Sequence, residues 1–435
     1  MAHPSAEQDQ GRLLTLAILA LVVGAAAGLI GALFRLVLVQ ADDLRDRLIG
    51  WAHGEALLGF GLVVAAGAAA ALVATWLVRR FAPHASGSGI PHVEEVLRKD
   101  SPPAPFILLP VKFVGGVLAI GSGMALGREG PSVQMGASIA HFIATACRRA
   151  WPDVRVLMAA GAGAGLATAF NSPIAGAVFV LEELVQRFEH RIAIAALAAS
   201  TTAIAVARAL IGSAPDFSVA PLEAVVPQGQ PLFIVLGAVA GLLAVGYNRL
   251  LLGGIDLAER LRPLPPEARA AVIGAGVAVV AWFAPALVGG GDSITQQTLS
   301  GSVAIAFLPV AFIVRALLGS ASYAAGTPGG LFAPLLVLGA QLGLLFGAGA
   351  AAVFPGLGIP PQAFAVVGMA AFFTGVVRAP LTGIVLIIEM TAAFAMLLPM
   401  VGACFAAMLV PTLLGDAPIY EALRERSSGA QTKKR

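Results

Sequence analysis

Apolar positions run on for long stretches of this chain. Continuous runs cover 13–39, 56–78, 105–126, 192–213, 231–253, 268–289, 304–319 and 394–414. About 20 apolar residues suffice for a helix to cross a bilayer, so these runs predict spanning helices. Four more, 130–147, 154–182, 330–354 and 362–391, are interrupted by glycine, proline or a lone charge. The pattern predicts an all-α polytopic membrane protein with ten or more helical segments of uneven length.

The pattern also repeats. NSPIAGAVFVLEE (171–183) lies over RAPLTGIVLIIEM (378–390), matching Pro173 to Pro380, Gly176 to Gly383 and Glu182 to Glu389. At the same spacing Gly161 meets Gly368. REGPSVQMG (128–136) lies over LFAPLLVLG (331–339), matching Pro131 to Pro334 and Gly136 to Gly339, at a spacing that one short insertion would produce. The expected organisation is a single transmembrane domain over 1–435, with repeat one at 13–213, a linker at 214–229, repeat two at 230–415 and a short helix with a basic tail at 416–435. Duplicated halves are a transporter signature, with substrate sites near the midplane where discontinuous helices meet.

Composition narrows the class further. Of 435 residues 58% are hydrophobic and 12% charged, and mean hydropathy is +0.88. A soluble domain carries roughly twice that charged fraction. The first apolar run is too long for a cleaved signal peptide and lacks a small-residue exit, so it reads as a retained helix. Cys147 and Cys404 offer neither a disulfide framework nor a metal spacing. The basic tail RERSSGAQTKKR argues for a cytoplasmic C-terminus.

Three segments share a design: GSGIP (87–91), GREGP (127–131) and GGLFAP (329–334) each put glycines and a proline before an apolar run. Proline suits a first helical turn, where its missing N–H has no partner anyway. Helix starts leave N–H donors unpaired and carry about half a positive charge. Singly, each reads as a loop-to-helix turn at the membrane surface. Converging inside a bilayer, they would make an anion site without a buried full positive charge.

These motifs resemble the CLC chloride channel and chloride/proton exchanger family. GSGIPHVEEV, GMALGREGPSVQMG, AFNSPIAGAVFVLEEL, PGGLFAPLLVLGA and PIYEAL follow one another in that family's order. The resemblance covers about residues 20 to 426 and is to the bacterial type without the cytoplasmic CBS pair, since a short tail follows Tyr420. It implies two inverted-topology repeats of tilted and half-length helices, assembled as a homodimer in a bacterial inner (plasma) membrane. It implies chloride and protons as cargo, with no cofactor, no metal and no nucleic-acid partner. Residue by residue, it implies that the Ser88 and Tyr420 hydroxyls and the N–H groups of Leu331 and Phe332 hold a central chloride. The N–H groups of Arg128, Glu129 and Gly130, facing Ala333, would form an outer site. Glu129 would be the gating carboxylate, and Glu183 the inner proton-transfer acid of exchangers.

Each residue has a plainer reading. Glu129 could pair with Arg128, although adjacent residues at a helix start face each other poorly. Ser88 could be an N-cap, Tyr420 an interfacial aromatic, Phe332 simple packing and Glu183 the cap of a helix end beside Arg187. Arg128 is expected to steady the backbone rather than bind the ion. Glu182 and Glu389 are expected to be structural, because both halves keep them. GAGAG (161–165) is expected to serve close helix packing rather than nucleotide binding, and His92 and His141 to be bystanders. The leading expectation is chloride/proton antiport; the alternatives are a passive chloride channel of the same fold and, from another class, an intramembrane serine hydrolase. The hydrolase lacks a G-x-S-x-G elbow. A fluoride exchanger would depart from GSGIP and GREGP, and both are present here.

Overall fold

The computed structural model describes residues 6–261 and 263–432. Seventeen α-helices and no strand are present among them. The first half supplies α1 (Ala6–Ala52), α2 (Ala56–Phe81), α3 (Ile90–Arg98), α4 (Leu108–Gly121), α5 (Glu129–Ala146), α6 (Trp151–Phe170), α7 (Pro173–Phe179) and α8 (His190–Ile211). The second supplies α9 (Gln230–Arg260), α10 (Pro266–Phe283), α11 (Asp292–Leu299), α12 (Leu308–Ala324), α13 (Phe332–Val353), α14 (Pro361–Val377), α15 (Pro380–Thr391) and α16 (Leu397–Leu413). A last helix, α17, covers Ile419–Thr432. Nine helical stretches among the described residues are long and apolar enough to cross a membrane, and α4, α14 and α15 are shorter apolar helices.

The interrupted runs break where the backbone demands it. Run 154–182 splits at Asn171 and run 362–391 at Arg378, repeat-equivalent positions that both adopt positive φ (51° and 71°). A proline two residues on in each case, Pro173 and Pro380, then opens the next helix. Non-glycine residues rarely take this left-handed conformation, so its occurrence at matched positions is the repeat expressed as geometry.

The repeat also explains the glycines. A Cβ on Gly136 would collide with the Gly161 carbonyl, and one on Gly339 would collide with the Gly368 carbonyl. The matched glycines thus meet within each half, letting α5 approach α6 and α13 approach α14 backbone to backbone. In a membrane, where lipid is as apolar as leucine, such close packing is a main source of helix association. The expectation for GAGAG is met: Gly161 and Gly165 face α5, while Gly163 faces Gly176 on α7.

Contacts between the halves are reciprocal. Glu182, beyond the C-terminal end of α7, accepts from the N–H groups of Leu381 (3.0 Å) and Thr382 (2.6 Å) at the start of α15, and from the Thr382 hydroxyl (2.7 Å). Glu389, late in α15, accepts from Ile174 (3.1 Å) and Ala175 (2.8 Å) at the start of α7. Each helix is capped by the end of its mate, so the two lie antiparallel. Reciprocal contact is the mark of a two-fold relation, and matched helices that run antiparallel are what inverted repeats require. Gly67 on α2 and Gly274 on α10 also meet across this relation.

The stretch between the halves, 212–229, is more than a tether. Phe217 donates its N–H to the Met390 carbonyl (3.0 Å), the Ser218 N–H donates to Gln296 Oε1 (2.9 Å), and the Asp216 side chain is 4% exposed between two arginines.

Candidate functional site

The three glycine-rich segments converge, and backbone hydrogen bonds lace them together. The Gly127 and Gly330 amides each donate to the other's carbonyl (2.8 and 2.7 Å). The Gly87 N–H donates to Thr327 O (3.1 Å), and the Gly329 N–H returns to Gly87 O (3.0 Å). These bonds satisfy the loops' own donors inside the protein and aim the helix starts that follow them at one place. In α5 and α13 the proline is the third helical residue, so two N–H groups precede it: Glu129 and Gly130 in one helix, Phe332 and Ala333 in the other.

Glu129 is fully buried and bends onto the facing helix start, where its Oε1 accepts from the Phe332 N–H at 2.6 Å. This is a charge-assisted bond at an amide end that an anion would otherwise satisfy. The glycines at 127 and 330 leave room for the carboxylate; a Cβ at either position would run into it. Glu129 does not pair with Arg128. That guanidinium turns away to Asp292 (2.8 Å), Asp216 (3.2 Å) and the Ala169 carbonyl (2.8 Å), and Asp216 also grips Arg35 (2.7 Å). Arg128 therefore fixes its segment to α6, α11 and the inter-repeat stretch, in line with the expected steadying role.

Ser88 and Tyr420 are both buried; their hydroxyls face each other, and neither makes a hydrogen bond of ordinary geometry to the protein. The N-cap position of α3 belongs to Gly89 (φ 82°), so the Ser88 hydroxyl is not consumed in capping. It abuts the Gly130 backbone, since a Cβ there would lie 2.6 Å from Ser88 Oγ. Tyr420 is no interfacial aromatic: its ring lies 6.0 Å from that of Phe332, which also packs on Phe170, Phe179 and Phe373 (6.4, 5.7 and 4.6 Å). Leu331 is the N-cap residue of α13, with Phe332 and Ala333 its first two helical residues. Buried hydroxyls without full partners are costly unless something accepts from them, and here they stand beside helix-start amides, of which Phe332 is held by the Glu129 carboxylate. The donor set is neutral, short and convergent, which suits a monatomic anion.

Two cavities flank the cluster. One of about 240 Å³ reaches Gly127, Arg128 and Ala333; the other, of about 360 Å³, reaches Gly87, Gly89 and Arg426. Glu183 lies elsewhere, 7% exposed, in a single π-helical turn (Val180–Leu184) that follows α7. That turn lets Glu182 reach α15 while Glu183 faces α3 and α17. Lys112 was not anticipated as part of the site. Fully buried, it donates to the carbonyls of Ala85 (2.9 Å) and Gly87 (2.7 Å), holding the Ser88 loop. Its signal in the sequence was a lone cation inside the apolar run 105–126.

The family model described as voltage gated chloride channel matches residues 70–412. The chain belongs to this family. Among CLC relatives, the H(+)/Cl(-) exchange transporter ClcA of Vibrio parahaemolyticus is 37% identical over 94% of this chain and 89% of its own length. Its counterpart in Citrobacter koseri is 36% identical over 96% and 90%. A slow cyanobacterial Cl-/H+ antiporter of known structure superposes with a TM-score of 0.91 at 31% identity, covering 99% of this chain and all of that one. A CLC-type fluoride/proton antiporter shares the fold, at a TM-score of 0.76 and 22% identity.

Proposed function

We propose that this chain exchanges chloride for protons across a membrane. The observation that carries the reading is the Glu129 carboxylate seated on the Phe332 amide, where carboxylate and halide are alternatives for one set of donors. Protonation removes the negative charge, weakens the bond to the amide and frees the helix ends for chloride; chloride departure lets the ionised carboxylate return. Each occupancy excludes the other, and that exclusion couples the two ions. The Ser88 and Tyr420 hydroxyls, with the Leu331 and Phe332 amides, hold the central ion. Amides of Arg128, Glu129, Gly130 and Ala333 serve the outer one. Glu183 passes protons on the cytoplasmic side, where the basic C-terminal tail also lies. Chloride is cargo, so no cofactor enters the cycle, and the homodimer implied by family resemblance gives each subunit its own pathway.

The relatives are transporters by name, and Ser88 Oγ lies against the Gly130 backbone rather than a base, which disfavours hydrolysis. Paired chloride and pH electrodes on reconstituted vesicles test the reading. A chloride gradient should drive protons uphill in the opposite direction. Chloride flux with no opposing proton flux would overturn exchange and leave a passive channel.

A further inference from the structure

A second acid is sealed beside Glu183. Glu94 on α3 is 1% exposed; its Oε2 accepts from Arg424 Nη1 at 2.9 Å, while its Oε1 is buried with no hydrogen-bond partner. Arg424 sits on α17 one turn beyond Tyr420, hence on the same face of that helix. Helix α3 packs against both α17 and the π-helical turn that carries Glu183. The charged groups that face buried Glu183 are Glu94, Glu182, Arg424 and Glu421. Glu182 is committed to the start of α15. Glu421 is 4.0 Å from Arg424 with its side chain 48% exposed, and Arg98, which also acts on Glu94, is exposed and donates to Gln186. Among the described residues that act on Glu183, those left enclosed are the Glu94 carboxyl and the Arg424 guanidinium, whose side chain is 15% exposed. One cation balances one carboxylate. A second ionised carboxylate against the first is strongly disfavoured in a low-dielectric interior, so such a pair retains one proton and titrates as a unit.

We infer that Glu94 and Glu183 hold the inner proton jointly, and that Arg424 is the positioning residue that sets how tightly they hold it. The inference rests on the exchange reading above. Arg424 fixes Glu94 as the ionised member and leaves the proton to Glu183. Because Arg424 and Tyr420 share one helix face, the same short helix serves both the chloride donors and the inner acid.

The test is the pH profile of proton flux, with the chloride/proton ratio, in reconstituted vesicles. Arg424→Met removes the charge that favours ionisation, so the pair binds its proton more tightly. The pH midpoint of proton flux should rise by about one unit or more, and proton flux at neutral pH should fall several-fold relative to chloride flux. Arg424→Lys should restore most of the profile. Glu94→Gln removes the like charge instead and should move the midpoint the opposite way. In a Glu183→Gln background, Arg424→Met should change chloride flux no further. Should Arg424→Met fail to fold with Glu94 left buried and unpaired, Arg424→Met/Glu94→Gln buries no lone charge and should keep chloride transport with an altered ratio. A merely structural Arg424 would lower both fluxes together at constant ratio and midpoint, in the Glu183→Gln background too, and that result overturns the inference. Wild-type chloride flux without proton movement would instead sink the exchange reading itself.

Discussion

The exchanged caps of α7 and α15 make a quantitative claim about what holds the two halves together. Glu182 accepts three hydrogen bonds from the start of α15, and Glu389 accepts two from the start of α7. Bonds to a charged acceptor contribute about 1.5–3 kcal/mol each in soluble proteins, whereas interhelical side-chain bonds in membranes average about 0.6 kcal/mol. The membrane figure reflects donors that find other partners when the helices separate. Helix-start N–H groups have no intrahelical alternative, so the truth lies between the two. Glu182→Ala should cost roughly 2–4 kcal/mol and Glu389→Ala roughly 1–3 kcal/mol. Both caps secure one helix pair, so losing the first weakens the second; the double variant should fall short of additivity by at least about 0.5 kcal/mol. Titration with sodium dodecyl sulfate in mixed micelles, followed by circular dichroism, reads all three. Either single loss below about 0.5 kcal/mol, or a larger cost at Glu389 than at Glu182, would refute the account.

Four further outcomes follow from the site. Glu129→Gln keeps the volume but lacks the charge that rivals chloride, so calorimetric chloride affinity should rise about tenfold or more, and proton coupling should vanish; an unchanged affinity contradicts the competition. In Gly330→Ala the new Cβ takes the space of the Glu129 carboxylate, so proton coupling should be lost while chloride still moves, as the flux ratio will show. Asp216→Asn leaves Arg35 and Arg128 facing each other without their shared counter-charge; the same detergent titration should show a loss of about 3–5 kcal/mol, the scale for breaking a buried pair, and a loss below about 1 kcal/mol would count against the brace. Tyr420→Phe removes a hydroxyl that makes no hydrogen bond of ordinary geometry to the protein, so stability should stay within about 0.5 kcal/mol while chloride binding weakens; the opposite pattern would make the hydroxyl structural.

Much of the fold was legible because a membrane strips the problem of alternatives. A long apolar run in lipid must close its backbone hydrogen bonds within itself, so hydropathy alone foretold most helices. Matched glycines and prolines foretold the repeat, since close backbone approach and forced helix starts tolerate few substitutes. What escaped notice was the positive φ at Asn171 and Arg378, which cuts two apolar runs into α6 with α7 and α14 with α15. Neither residue is a glycine: Asn171 tolerates the left-handed conformation, Arg378 carries no such signal, and what marks both breaks is the proline two positions on. The exchanged caps escaped for another reason. Glu182 and Glu389 were legible as a matched pair, but the reading that both are structural does not reveal that each serves the other half, because the partner of a carboxylate depends on how two distant segments pack.

The site divides along the same line. Glycine, proline and the acid of GREGP carry local signals, and Ser88, Glu129, Phe332 and Tyr420 do come together as their motifs imply. The charges that brace them carry none: Asp216 lies in an undistinguished polar stretch, Asp292 at an ordinary helix start, and Arg424 in a tail that reads as solvent-exposed. This asymmetry has a physical cause. An amide end that faces an ion must be built from backbone, so it needs particular residues at particular offsets. A guanidinium needs only some carboxylate within reach, and many positions can supply one. The donors that meet the ion are therefore written into short contiguous motifs, while the electrostatic frame that steadies them is spread over the chain. It follows that relatives should keep the glycine-proline starts while exchanging the acids that grip Arg128. Moving the Asp216 carboxylate to another residue that faces Arg128 should rescue Asp216→Asn, whereas no side-chain replacement should rescue the loss of room at Gly330.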